Sequence, residues 1–270
     1  MLLQMVVIVN YMFQLVWIAL QLIVAIFLSV KMIKTKTYNL LPLILFFFTN
    51  SVRILFSQPS LFPALTIIYL ILNDLLAIWL VIFAKLTFFK YKKSSFKILI
   101  IILITNNGID YIIRLIFQIT IPLTIYLDES FVTYYFVVLI LFSISFLCSH
   151  LWLGITAIKY YNSIKSLNIE PWIKRRYQII GLSSILYIFS IFIYYLFPSR
   201  VIDYFAFPYL IYGFIILGFT IFYSLCAFIA WVMPKSLKKF FNKDFKRPVE
   251  KEYDENELME LINKELNVNK

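Results

Sequence analysis

The 270-residue chain contains one histidine, two cysteines and five glycines, and only 14% of its residues carry charge. Each scarcity closes a class of function. A structural zinc ion draws four ligands from cysteine and histidine, so no metal is expected here. Cys148 and Cys226 both fall inside apolar runs, which excludes a disulfide between external loops and leaves two small buried thiols. Five glycines supply no phosphate-cradling loop, and neither HExxH nor GxSxG occurs. Serine, histidine and acid cannot be assembled into a triad from residues at compatible depth. Neither enzymatic activity nor a cofactor is expected.

The shortage of charge has a counterpart. Apolar residues make up 62% of the chain and the mean hydropathy is +0.88, more than a soluble domain of this size can hide in one core. A bilayer core of about 30 Å takes roughly 20 helical residues per crossing. Seven runs of that length lie near residues 5–30, 38–58, 62–86, 98–126, 131–158, 177–198 and 204–233. The expected fold is therefore an all-α membrane protein: a seven-transmembrane helix bundle over residues 1–233, then a tail over 234–270. The opening "MLLQMVVIVNYMF" has no basic n-region and no small-residue cleavage site, so the first helix is expected to be retained.

Short cytoplasmic loops are enriched in lysine and arginine. Lys31, Lys34 and Lys36 follow the first span; Lys90, Lys92, Lys93 and Lys97 follow the third; Lys159, Lys165, Lys174, Arg175 and Arg176 follow the fifth. The alternate loops hold the uncharged "SQPSLFP", the acids Asp128 and Glu129, and Arg200 offset by Asp203. These loops place the N-terminus outside and the C-terminus in the cytoplasm of a multi-pass cell-membrane protein. The net charge of +11 is then mainly topological. Its expected partner is anionic lipid on the cytoplasmic side rather than nucleic acid, for which no motif is present. Oligomeric state is not encoded in any pattern here.

Polar residues recur on one face of most spans. At 100° per residue, Asn107, Asp110, Arg114 and Gln118 share about 80° of arc on the fourth span. Asn10, Gln14 and Gln21 share a face of the first, Asn50, Arg53 and Ser57 mark the second, and Thr66, Asn73 and Asp74 the third. Later spans carry Tyr134, Ser145, Ser149 and Trp152, then Ser183, Tyr187, Ser190 and Tyr194, then Tyr209, Tyr212, Thr220 and Tyr223. At about 1.5 Å per residue, Arg53, Asp74, Asp110 and Arg114 all reach the middle or outer half of the bilayer. A charge there costs at least about 2.5–3.5 kcal/mol, so two acids and two bases at one depth point to a charge-neutral ligand pocket, ion path or ion-pair network. Asp110 and Arg114 are spaced i,i+4 with the acid first, a pairing that lets the helix insert. His150 falls about 100° from the polar stripe of its helix and reads as a packing or snorkelling histidine; Lys85 reads as a snorkelling residue.

After Pro234, "KSLKKFFNKDFK" places Leu237, Phe240, Phe241 and Phe245 at helical spacing among lysines including Lys238 and Lys239. That pattern is an amphipathic juxtamembrane helix for the membrane surface. Further on, "ENELMELINKEL" aligns Leu258, Leu261, Ile262 and Leu266 in a short acidic helix able to meet the basic loops or a cytoplasmic signalling partner.

Seven spans, an outside N-terminus, short loops and an amphipathic helix after the last span resemble the layout of G-protein-coupled receptors, microbial rhodopsins and the seven-helix sensor modules of histidine kinases. The resemblance implies a sensor or receptor that binds a small or lipid-like ligand within the bundle. Its motifs are not shared: the seventh span, "YFAFPYLIYGFIILGFTIFYSLCAFIAWVMP", has no lysine for retinal, DRY and NPxxY are missing, and no kinase domain follows. The alternative is a small transporter or channel subunit moving an ion or polar solute along the same seam. Sugar-exporter and PQ-loop transporters join two three-helix repeats through a fourth helix, but here that helix is the most polar and "SQPS" is not a PQ motif.

The loop charges generate a direct test. An N-terminal epitope on intact cells should be reached by impermeant antibody and a C-terminal one only after permeabilisation; the opposite pattern rules the assigned orientation out.

Overall fold

The computed structural model describes residues 2–55, 63–89, 95–120, 129–166, 169–196, 207–243 and 245. Helices account for nearly all of them, and no strand occurs among the described residues. In chain order they are α1 (Leu2–Thr35), a 3₁₀ turn (Tyr38–Leu40), α2 (Leu41–Leu55), α3 (Pro63–Phe88), α4 (Phe96–Thr120), α5 (Glu129–Ile164), α6 (Pro171–Ile188), α7 (Ser190–Leu196), α8 (Phe207–Val232) and α9 (Lys235–Phe241). Seven helical segments, with α6 and α7 counted as one, are long and apolar enough to cross a membrane. By length and composition this is a multi-pass membrane protein.

Proline marks the beginnings. Pro42, Pro63, Pro171 and Pro208 occupy the first or second position of α2, α3, α6 and α8, where the missing N–H costs nothing. Pro171 starts the sixth span six residues before the expected Tyr177, so Lys174, Arg175 and Arg176 lie on its first turns and not in a loop. The same span, expected as one helix, is interrupted at Phe189. Here Phe189 N–H bonds Leu186 O at 3.1 Å and Phe192 N–H bonds Phe189 O at 3.2 Å, the tighter i→i−3 pattern. Ser190 Oγ donates to Tyr187 O at 2.7 Å. A serine hydroxyl returned to the backbone in this way competes with the helical ladder and bends it.

Six of the spans close a ring: α1 packs on α2, α2 on α3, α3 on α5, α5 on α6, α6 on α8 and α8 on α1. The fourth span, α4, packs on the seam between α3 and α5. Its isoleucines Ile98, Ile101, Ile104, Ile112 and Ile116 face outward, as a lipid-facing surface requires. Polar groups go the other way: Gln21, Asn50, Asn107, Asp110, Ser149 and Thr220 are buried.

The tightest contact joins α5 to α6. A Cβ on Gly154 would come within 2.8 Å of Ile185 Cγ1 and 3.2 Å of Gly181 O; one on Gly181 would meet Ile158 Cγ1 at 2.6 Å and Gly154 O at 3.2 Å. Small residues let membrane helices approach this closely and gain dispersion contact that lipid cannot offer.

At one end of the bundle, the chain turns at Met233, which has a left-handed φ of 40° and is buried. Pro234 then begins α9, which packs across the start of α6. Asn242 accepts Trp172 N–H at 3.3 Å, and Trp172 Nε1 donates to Glu170. Arg176, 1% exposed, lies over the rings of Trp172 and Trp231 at 4.7 and 5.1 Å, and Lys238 lies over Trp172 at 4.2 Å. Lys31 donates to Trp231 O, tying α1 into the same cluster. Of the residues expected at the membrane surface, Leu237 and Phe241 pack against the protein core, Phe245 is half-buried, and Phe240 is 70% exposed beside the exposed Lys239. The acidic tail segment expected around residues 255–266 lies outside the described residues.

Replacement of Gly181 or Gly154 by leucine should lower the thermal midpoint by several degrees. Gly108→Ala and Gly218→Ala, where nothing lies within 4 Å, should leave it unchanged or raise it, since alanine favours helix by about 0.8–1 kcal/mol. Equal effects at all four sites would refute the close α5–α6 contact.

Candidate functional site

Two hydrogen-bonded chains of polar side chains run between the helices. The first crosses four of them. Gln21 Nε2 of α1 donates to Ser224 Oγ of α8 at 2.7 Å, Asn50 Nδ2 of α2 donates to Gln21 Oε1 at 3.3 Å, and Arg53 joins Asn50 to α3. Arg53 Nη2 bonds Asn50 Oδ1 at 3.1 Å and Nη1 bonds Asn73 Oδ1 at 2.6 Å. The guanidinium also lies 5.7 Å from the Tyr69 ring centre.

The second chain fixes α4. Asn107 Nδ2 donates to Asp74 O of α3 at 3.4 Å, and Asn107 Oδ1 accepts from Ser145 Oγ of α5 at 2.5 Å. Asn106 Nδ2 reaches Ser145 Oγ at 2.9 Å and Leu141 O at 2.8 Å. One turn along α4, Arg114 Nε donates to Asp110 Oδ2 at 2.9 Å. Interhelical hydrogen bonds of this kind contribute about 0.6 kcal/mol each in a bilayer. Together they set the rotation of every helix they touch.

Between the two chains lies a cavity of about 60 Å³. That is well above the roughly 10–15 Å³ a cavity needs to hold one water, so it has room for water or a small solute. Polar groups on its wall are Arg53 and Asn50 from α2, Asn73 and Asp74 from α3, Asn107 and Asp110 from α4, and Ser145 and Ser149 from α5. Trp17, Phe46, Phe142, Phe146, Tyr187 and Tyr194 add rings.

His150 is 3% exposed and also lines the cavity. Its ring stacks on Phe146 at 4.2 Å and packs near Tyr187 and Tyr223 at 5.2 and 5.7 Å. Nδ1 lies 3.0 Å from Phe146 O, and a carbonyl can only accept. Nδ1 therefore carries the proton in the neutral ring, leaving a lone pair on Nε2. That atom has no hydrogen-bond partner among the described residues; neither do the buried Trp17 Nε1, Arg53 Nε and Asp110 Oδ1. All four belong to residues on the cavity wall. Buried polar atoms are normally satisfied; these four border the cavity, while Trp79 Nε1, Thr87 Oγ1 and Trp152 Nε1, elsewhere in the bundle, also lack partners among the described residues.

Of the residues expected in the seam, Arg53, Asn73, Asp74, Asn107 and Asp110 line the cavity, and Arg114 is bonded to its wall. Gln14 is half-buried on α1 away from it, and the side chains of Asn10 and Gln118 lie outside the described residues. His150, expected to pack or snorkel, does not snorkel: it is 3% exposed, packs among aromatic rings and borders the cavity. Trp17 and Asn106 went unnoticed. Trp17 is on the face shared by Gln14 and Gln21, and Asn106 is the neighbour of a chosen asparagine, so helical spacing could have indicated the first. Lys85 Nζ donates to Phe89 O at 2.7 Å at the end of α3. Cys148 and Cys226 are free and half-buried, and no cluster of metal-ligating residues occurs among the described ones.

Comparison of the chain with protein-family models, with curated proteins and with solved structures gave no match to any of them.

Removing one member of the Asp110–Arg114 pair strands the other, and a broken buried pair costs up to about 3–5 kcal/mol. With Arg114 20% exposed, Asp110→Leu should cost about 1–3 kcal/mol, and Asp110→Leu with Arg114→Leu should cost less than the two single changes summed. Strict additivity in thermal unfolding would show that the pair is not formed.

Proposed function

We propose that this protein is a multi-pass sensor or receptor-like protein of the cell membrane that binds a small polar ligand in the intramembrane cavity and signals through its cytoplasmic side. One observation carries the reading. The sixth span breaks at Phe189, between the cavity residues Tyr187 and Ser190, while the other end of α6 meets α9 through Trp172, whose ring lies under Lys238 and whose N–H bonds Asn242 at the end of α9. From Tyr187 to Trp172 is about 22 Å along the helix. A ligand that repositions Tyr187 or Ser190 would move a rigid helix whose far end holds α9, and helix shifts of 1–2 Å are enough for such switching.

In this reading the α9 end is cytoplasmic. The lysines of α9, together with those after α1 and α3, meet anionic lipid, and the tail beyond residue 245 engages a signalling partner. A cavity of about 60 Å³ favours the small end of the expected range over a lipid-sized ligand.

A transporter or channel subunit is the second reading, and one feature favours it. With α4 on the outer seam, α1–α3 and α5–α8 form two three-helix units around the ring, an arrangement suited to rocking about a central site.

Reconstituted protein separates the two. Flux of small amines, carboxylic acids and amino acids into liposomes is measured beside their effect on thermal midpoint, for wild type, Asp110→Asn and Arg114→Gln. The sensor reading expects stabilisation by at least one solute without flux, weakened in both variants. Solute flux abolished by both variants would overturn it in favour of transport.

A further inference from the structure

The cavity wall holds opposite charges that are not paired with each other. Arg53 spends Nη1 on Asn73 and Nη2 on Asn50, its Nε is buried without a partner, and no approach within 4.0 Å links it to either acid. The Asp74 carboxylate makes no ion pair and no hydrogen bond among the described residues. Asp110 gives Oδ2 to Arg114 and keeps a buried Oδ1 without a partner.

These groups divide into two poles. Trp17 Nε1 and Arg53 Nε, from α1 and α2, can only donate. Ser51 Oγ reaches Ile18 O at 3.5 Å, which brings the α1 turn holding Trp17 level with the α2 turn holding Arg53. From α3 and α4, Asp74 and Asp110 can only accept when ionised. The Asn107 bond to Asp74 O holds α3 and α4 together one turn from Asp110. Low dielectric makes a lone charge on either side expensive, and a ligand of one sign relieves only one pole.

We infer that the cavity binds a small zwitterionic solute of the amino-acid class, its carboxylate against Arg53 and Trp17 and its ammonium against Asp74 and Asp110. The inference rests on the reading of the cavity as a ligand site. Such a molecule is neutral overall, so it enters the bundle without carrying net charge into low dielectric, yet it compensates both poles at once. A cavity of about 60 Å³ suits a small solute, and glycine is the smallest of this class. His150 Nε2, a buried acceptor on the same wall, adds a site for a further N–H or O–H.

The test uses the full chain in lipid nanodiscs, with glycine as probe and its two halves, acetate and methylamine, as comparisons, read by calorimetry and thermal midpoint. Glycine should bind at least tenfold more tightly than either half. Arg53→Gln should bring glycine down to the level of methylamine, and Asp74→Asn should bring it down to the level of acetate. Trp17→Phe keeps the ring and removes one donor, so a several-fold loss for glycine and acetate, with methylamine unchanged, is expected even if Arg53→Gln fails to fold. Methylamine or acetate binding as tightly as glycine overturns the zwitterion assignment while leaving a ligand site in place. A glycine preference untouched by all three substitutions, or no binding of any probe, overturns it as well; in the latter case the wider solute panel decides whether the cavity binds anything.

Discussion

A half-buried guanidinium held by two amide oxygens instead of a carboxylate is the constraint on which the rest of this structure depends. Arg53 donates its hydrogen bonds to Asn50 and Asn73, and that choice leaves Asp74 without a basic partner. Had Arg53 paired with Asp74, α2 and α3 would be joined by a closed salt bridge. Instead the two side chains form no ion pair, and both border the cavity. The insertion cost of the charges is met by amides on one side and by the Asp110–Arg114 pair on the other, so the bundle is assembled from satisfied groups around a few unsatisfied ones.

Those amides do a second task. Asn50 and Asn73 belong to chains that cross from α8 through α1 and α2 to α3, while Asn106 and Asn107 bind α4 to α3 and α5. In a bilayer the apolar surface of one helix is nearly as content against lipid as against its neighbour, so directional bonds and close contacts such as Gly154 on Gly181 must specify rotation. The polar seam is therefore structural, and several of the same residues border the cavity. Its exterior counterpart is the isoleucine surface of α4, which has nothing to specify.

The spans were readable because apolar length is a one-dimensional property of the chain. Spacing along the helices sets Arg53, Asp74 and Asp110 at similar depths, and all three border one cavity. What spacing does not encode is the rotation of each helix and its distance from the next, and there the expectations gave out: Arg53 meets asparagines and not an acid, and His150 reaches the cavity from a face thought to be away from it. Arg176 looked like another loop cation, yet Pro171 starts α6 early enough to bury it between Trp172 and Trp231. The break at Phe189 has no proline or glycine beside it, and only the return of the Ser190 hydroxyl to the backbone accounts for it.

The account stands on Arg53 being coupled to amides and separate from the acids. Double-mutant cycles measured by thermal unfolding in nanodiscs, pairing Arg53→Met once with Asn73→Leu and once with Asp74→Leu, test this most directly. Coupling of about 0.5–3 kcal/mol marks residues in contact; it is predicted for Arg53 with Asn73, with clearly weaker coupling for Arg53 with Asp74. Coupling to Asp74 equal to or larger than that to Asn73 would mean that the two charges form an ion pair, and the cavity with opposed poles would not exist.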